Sequence, residues 1–98
     1  MLDSNFIIKP TKYKFNENKI LKEIIEYIDS TYCKHYSNGK YQATDMIIDA
    51  GHGEGFCIGN IMKYAMRYGK KASKKSELSK IIHYSIIALY LIERDDNG

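Results

Sequence analysis

The sequence has no tryptophan, a single proline and only two cysteines. Cys33 and Cys57 cannot build the multi-bridge framework that stabilises small secreted domains, and no signal-peptide pattern opens the chain, so a reducing cytoplasm is the expected setting. No apolar run approaches the roughly 18–20 residues that a membrane-spanning helix needs, and no membrane partner is expected. An excess of one sign of charge is missing too. The formal net charge is +3, too little for a polycation that coats nucleic acid. Two familiar phosphate fingerprints are absent as well. After Gly51, Gly53 and Gly55 no GK[ST] follows at Walker A spacing, and the last position of a G-x-G-x-x-G counted from Gly51 is Phe56.

What remains is an ordinary globular composition, 44% hydrophobic and 28% charged over 98 residues. That is one domain near the lower size at which a single core suffices. Lysine, isoleucine and asparagine are abundant and there are nine tyrosines, the composition of AT-rich coding found in many phages and low-GC bacteria.

The chain is organised around residues 51–75, GHGEGFCIGNIMKYAMRYGKKASKK. Three glycines at alternate positions lead into a short amphipathic helix that ends in a basic cluster. From Lys63 to Lys75 there are six cations (Lys63, Arg67, Lys70, Lys71, Lys74 and Lys75) and no carboxylate. Phe56, Ile61, Tyr64, Ala65 and Tyr68 follow a helical period and are expected to face inward. Asn60, Lys63 and Arg67, at i, i+3 and i+7, share one face. A glycine loop entering a helix N-terminus offers free backbone N–H groups and the positive end of the helix dipole, where anions are stabilised. Gly53 and Gly55 are therefore candidate phosphate contacts.

The periodicity predicts an all-α fold, a compact bundle of about four helices with an extended N-terminal arm, homo-oligomeric. Residues 1–15 are expected to form the arm and residues 16–95 a single helical domain holding the site for a phosphorylated small molecule. Asn16 is a suitable N-cap for a helix running to Tyr32, with Ile20, Leu21, Ile24, Ile25 and Ile28 inward. Residues 33–40 read as a connector with a turn signal at Ser37-Asn38-Gly39. A helix over 41–50 buries Ala43, Met46, Ile47 and Ala50 and ends at Gly51. The next helix spans 56–68. After a basic loop, Ser73 or Ser76 caps the last helix, which runs to Arg94. That helix is apolar nearly all round, which requires burial on more than one side. Homo-oligomerisation through the 76–94 helix, at Ile87 and Leu91, is the expected remedy.

Each chemical feature has a structural alternative. Gly51 caps a helix in either case, and Gly53 and Gly55 could merely turn the chain. Lys70 and Lys71 are explained by a helix C-terminus or a solvated face, whereas Lys63, read as mid-helix, is not. Arg67 can grip a phosphate bidentately and Lys63 acts as a point charge. His35 and Asp45 are the candidate acid–base residues, Asp45 with Asp49 one turn away as an alternative Mg²⁺ pair or simply a wet helix face. Tyr36 and Tyr64 are candidates to stack a base, and the core claims tyrosines too. The Cys33-Lys34-His35 spacing is not that of a zinc site, and no metal site is assigned.

The run His35-Tyr36, Tyr41 to Ile47, Phe56-x-x-Gly59-Asn60-x-x-Lys63-Tyr64-x-x-Arg67-x-Gly69-Lys70-Lys71 and Leu78-x-Lys80-x-x-x-Tyr84 resembles a small phage-encoded nucleotide-kinase-like domain family. The resemblance covers Lys34 to Glu93, with Ile81 and His83 where that pattern has alanine and often tryptophan. It implies Asn60, Lys63, Arg67 and Lys71 as binding residues and His35-Tyr36 as a nearby contact. The expected ligand is a phosphorylated nucleotide, with a nucleoside triphosphate, with or without Mg²⁺, as the implied cofactor. Three function classes stay open: a nucleotide phosphotransferase, a non-catalytic protein that sequesters a nucleotide or cyclic-nucleotide signal of host antiviral defence, and a nucleic-acid-binding module. The modest net charge and the lack of a DNA-reading motif count against the third.

Overall fold

The computed structural model describes residues 11–37 and 41–97, with side chains for 11–34 and 43–96. The described chain forms four helices: α1 (Glu17–Ser37), α2 (Tyr41–Asp49), α3 (Gly53–Met66) and α4 (Lys74–Asn97). All-helical architecture is as the periodicity predicts. Residues 1–10 of the expected arm, and Asn38 and Gly39 of the turn signal, lie outside the described residues.

Local chemistry sets most boundaries. Asn16 adopts the left-handed conformation that asparagine tolerates (φ +56°) and its carbonyl accepts from Ile20 N–H at 2.9 Å. The α2 terminus is a full Schellman motif: Gly51 (φ +89°) donates to Ile48 O and His52 to Ile47 O, each at 3.0 Å. Ser73 rather than Ser76 caps α4, with its Oγ accepting from Ser76 N–H at 3.0 Å.

Four helix boundaries differ from expectation, among them the end of α4, which runs to Asn97 and not to Arg94. α1 runs through Ser37 because nothing from Cys33 to Tyr36 breaks a helix. α3 begins at Gly53, so Gly53-Glu54-Gly55 is its first turn and not a loop; Phe56 N–H already donates to His52 O. α3 also stops at Met66, which puts Lys63 in its last turn. A cation at that position is favoured by the helix dipole, contrary to the mid-helix reading.

The core is an antiparallel hairpin of α3 and α4. Arg67 meets Glu77, Tyr64 meets Lys80, and Gly53 meets Leu91, so one helix ascends as the other descends. Cys57, Ala88 and Leu91 are buried, with Ile48, Phe56, Tyr84 and Ile87 packed around them. Leu91, expected at a subunit interface, lies inside the subunit, and Ile87 packs beside it. The α2 stripe is displaced from the expected one: Ala43, Met46 and Ala50 are exposed, Ile47 is half-buried, and Ile48 is the residue that joins the core. Of the expected α1 stripe only Ile24 is buried and Ile28 half-buried, while Ile20, Leu21 and Ile25 stay exposed. Ala65 and Tyr68, read as inward, are exposed as well. No helix among the described residues is long and apolar enough to cross a membrane.

Candidate functional site

The C-terminal half of α3 carries Lys63, Tyr64 and Arg67 against the N-terminal half of α4. Lys63 Nζ and Arg67 Cζ each lie 4.6 Å from the centroid of the Tyr64 ring, and Lys80 Nζ reaches the same ring at 5.1 Å. Tyr64 in turn stacks on Tyr84 at 6.0 Å and 22°. Phe56 meets Tyr84 edge-on at 5.7 Å. From α1, Tyr27 meets His83 edge-on at 6.1 Å, and the His83 ring lies 6.4 Å from Tyr84. Three helices thus converge on a tyrosine cluster rimmed by three cations.

The only carboxylate bonded to this cluster among the described residues is Glu77. It is fully buried, and its Oε2 accepts from Arg67 Nε at 3.0 Å. Its Oε1 has no hydrogen-bond partner among the described residues. Three positive charges against one negative leave a local excess of positive charge. Sharing one ring keeps any two of the cations within roughly 10 Å, where like charges repel by on the order of 1.7 kcal/mol at an effective dielectric of 20, less where solvent screens them. An anion at the rim would relieve that repulsion. Cation–π attraction, about 0.5–1 kcal/mol at exposed sites, holds the cations in place meanwhile.

Burial, with the neighbouring Tyr64 hydroxyl second, pushes the Tyr27 and Tyr84 phenols above their ordinary value of 10.0. Both therefore remain O–H donors throughout the neutral range. A phenol whose dissociation is raised by folding leaves stability intact below its unfolded value and withdraws it above, because the unfolded chain then releases the proton first. Stability should thus be insensitive to these groups up to about pH 10 and fall beyond it. Urea titrations at pH 9 and 10.5 with wild type and Tyr84→Phe should show a smaller alkaline loss in the variant. An identical loss would remove Tyr84 from this role.

The remaining expected site residues are dispersed. Asn60 is half-buried and its Nδ2 donates to Phe56 O at 2.9 Å on its own helix. Lys71 is exposed beyond the end of α3. Gly55 and Lys63 are eight residues apart on one continuous helix, about 12 Å along its axis. The first turn of α3 and the Lys63–Arg67 end are thus too far apart to share a single phosphate, and the cations gather with Tyr64 and Lys80 at the end away from Gly53 and Gly55. Gly53 is moreover buried against Ile48 and Leu91. Asp45 is exposed and lines a separate cleft of about 360 Å³ between α1, α2 and α4, beside Tyr32, Thr44, His83 and Tyr90. His35 and Tyr36 are on the last turn of α1 and their side chains lie outside the described set. Among the described residues no group of three or more His, Cys, Asp or Glu side chains is placed to hold a metal.

Tyr27, Glu77, Lys80, His83 and Tyr84 were not foreseen as site residues. Lys80 and Tyr84, at i and i+4 within Leu78-x-Lys80-x-x-x-Tyr84, carried a signal in their spacing. Glu77 carried none, because its contact with Arg67 depends on the register of the hairpin.

A family model described as "Protein of unknown function (DUF3310)" matches residues 7–85. The chain belongs to the DUF3310 family. The DUF3310 span takes in every member of the cluster, from Tyr27 to Tyr84. No curated protein and no solved structure matches the chain.

Proposed function

We propose that the chain binds a phosphorylated nucleotide, with its phosphates at the rim formed by Lys63, Arg67 and Lys80. The observation that supports this is the gathering of these three cations on one tyrosine ring, 4.6–5.1 Å from its centroid, with Glu77 as the single bonded carboxylate among the described residues. Tyr64, with cations at its ring and Tyr84 stacked on it, has little face left for a base. The heterocycle is better served by the neighbouring cleft, which His83 lines and where Tyr32, Tyr90 and Asp45 offer aromatic walls and an acceptor. In a phosphotransferase of the kind the nucleotide-kinase-like resemblance implies, Asp45 and His35 would handle the proton. In a sequestering protein the same groups would only hold the ligand.

Calorimetry with mono-, di-, tri- and cyclic nucleotides tests the reading. Charge-assisted hydrogen bonds contribute about 1.5–3 kcal/mol each, so Lys63→Ala and Lys80→Ala should each weaken binding about ten- to hundredfold. Lys74, which lies over Tyr68 at 5.8 Å, should tolerate alanine with little change. Equal losses at all three lysines would indicate diffuse electrostatics and end the proposal. Chromatography of the incubated nucleotides then separates conversion from sequestration. Under conversion, Asp45→Asn should slow turnover by more than it weakens binding.

A further inference from the structure

The solvent side of α3 lacks the charge that usually covers a surface helix. Gly53, Cys57, Phe56, Asn60 and Tyr64 turn toward α2 and α4. On the opposite face lie Gly55, Gly59, Met62 and Met66, at i, i+4, i+7 and i+11, with Ile58 beside them. Ile58, Met62 and Met66 are 47%, 58% and 76% exposed. The face is bordered by Glu54 on one flank and Lys63 on the other, and no charged residue interrupts it. Its two glycines are also unexplained within the chain. A Cβ placed at Gly55 or Gly59 would meet no atom within 4 Å, yet each glycine costs a helix roughly 0.5–1 kcal/mol relative to alanine.

We infer that this face docks on the same face of a second copy, α3 against α3 in antiparallel orientation about a two-fold axis. The choice of occupant rests on self-complementarity. When Gly59 of one chain lies opposite Met62 of the other, the antiparallel register also sets Gly55 opposite Met66. Each long, adaptable methionine then faces a notch where the partner has no side chain. Charge agrees with that register. Glu54, the only carboxylate of α3, comes level with the basic end of the partner helix, where Lys70 and Lys71 follow the last turn, Arg67 itself being turned to Glu77. A parallel arrangement would set Glu54 beside Glu54 and the basic ends beside each other. The surface is distinct from the one expected on α4, where Leu91 and Ile87 serve the subunit's own core.

Sedimentation and light scattering of the full chain over 1–200 µM should give a dimer. Gly59→Leu, placed where no atom of the chain is near, should preserve helicity by circular dichroism and weaken association by at least ~30-fold, the scale of an interface hot spot. Gly59→Ala should raise helix stability in the isolated chain and still weaken association. Cross-linking reads the register. Antiparallel pairing leaves residue 55 about 16 Å along the axis from its own copy, and likewise residue 66, beyond the ~7 Å limit between Cα atoms of a disulfide. In a Cys33→Ser background, Gly55→Cys and Met66→Cys proteins should each resist oxidation to dimers alone and form them when mixed. A monomeric wild type at 200 µM overturns the inference. So does a folded Gly59→Leu protein with unchanged mass, or cross-linking by either cysteine variant alone.

Discussion

Arg67→Ala is expected to cost the fold about 3 kcal/mol, the low end for breaking a buried ion pair. The loss arises at the partner. Glu77 is wholly buried and its Oε2 has Arg67 Nε at 3.0 Å, while Oε1 has no partner among the described residues. Without the guanidinium a desolvated carboxylate is left with no positive charge bonded to it, and it must either protonate or draw water into the hairpin. Arg67 is itself 27% exposed, so solvent partly replaces it and the high end of the range is not expected. The double variant Arg67→Ala, Glu77→Leu removes both charges and should recover most of the loss, since apolar replacement of a buried pair is often neutral or better. Urea unfolding of the two variants provides the comparison. An Arg67→Ala midpoint equal to wild type would mean that Glu77 is not confined as described. The same contact changes how Arg67 bears on ligand binding. A binding defect in Arg67→Ala would combine a lost phosphate partner with a loosened hairpin, whereas Lys63 and Lys80 have no carboxylate to release among the described residues. Arg67→Lys keeps a cation near Glu77 and removes the planar fork, so it isolates bidentate phosphate recognition from the integrity of the hairpin.

Helix count and type were legible in the sequence because a period of 3.6 is written over many residues, and Gly51 and Ser73 punctuate it chemically. Faces were less legible. On α1 the run Ile20, Leu21, Ile24, Ile25, Ile28 describes an apolar stripe, but only Ile24 becomes buried, since the pattern does not say what lies opposite. On α2 the expected stripe missed Ile48, the residue the α2–α3 corner carries into the core. The site was half legible. Lys63 and Arg67 share a face by spacing alone, and the hairpin does bring both to Tyr64. Lys80 and Tyr84 share a face by spacing, but their meeting with Tyr64, like the contact of Glu77 with Arg67, comes from the pairing of α3 with α4, a long-range fact. Gly53 was read for its backbone N–H group, and a second property of glycine, its lack of a side chain, is what the α2–α3–α4 corner uses.

That corner carries the other large expected effect. Leu91 is 3% exposed, and a Cβ on Gly53 would lie 2.8 Å from Leu91 Cδ1 and 3.0 Å from Ile48 Cγ1. Both distances are too short, and the backbone of Ile48 stands 3.4 Å behind, so the side chains of Leu91 and Ile48 would have to give way inside a packed corner. Gly53→Ala is therefore expected to destabilise by about 1–2 kcal/mol despite the better helix propensity of alanine. Leu91→Ala should cost about 3 kcal/mol, a mid-range value for truncating a buried leucine. The two changes occupy the same space, because the methyl added at residue 53 points into the volume that the shortened residue 91 vacates. The double variant should then be less destabilised than the sum of the singles by about 1 kcal/mol, within the range measured for residues in contact. Chemical denaturation of the three variants at low protein concentration measures this coupling without interference from association. Strict additivity would show that α3 and α4 do not approach at Gly53. The same geometry predicts that Leu91→Glu abolishes folding at every concentration, since its target is the subunit core and not a contact between copies.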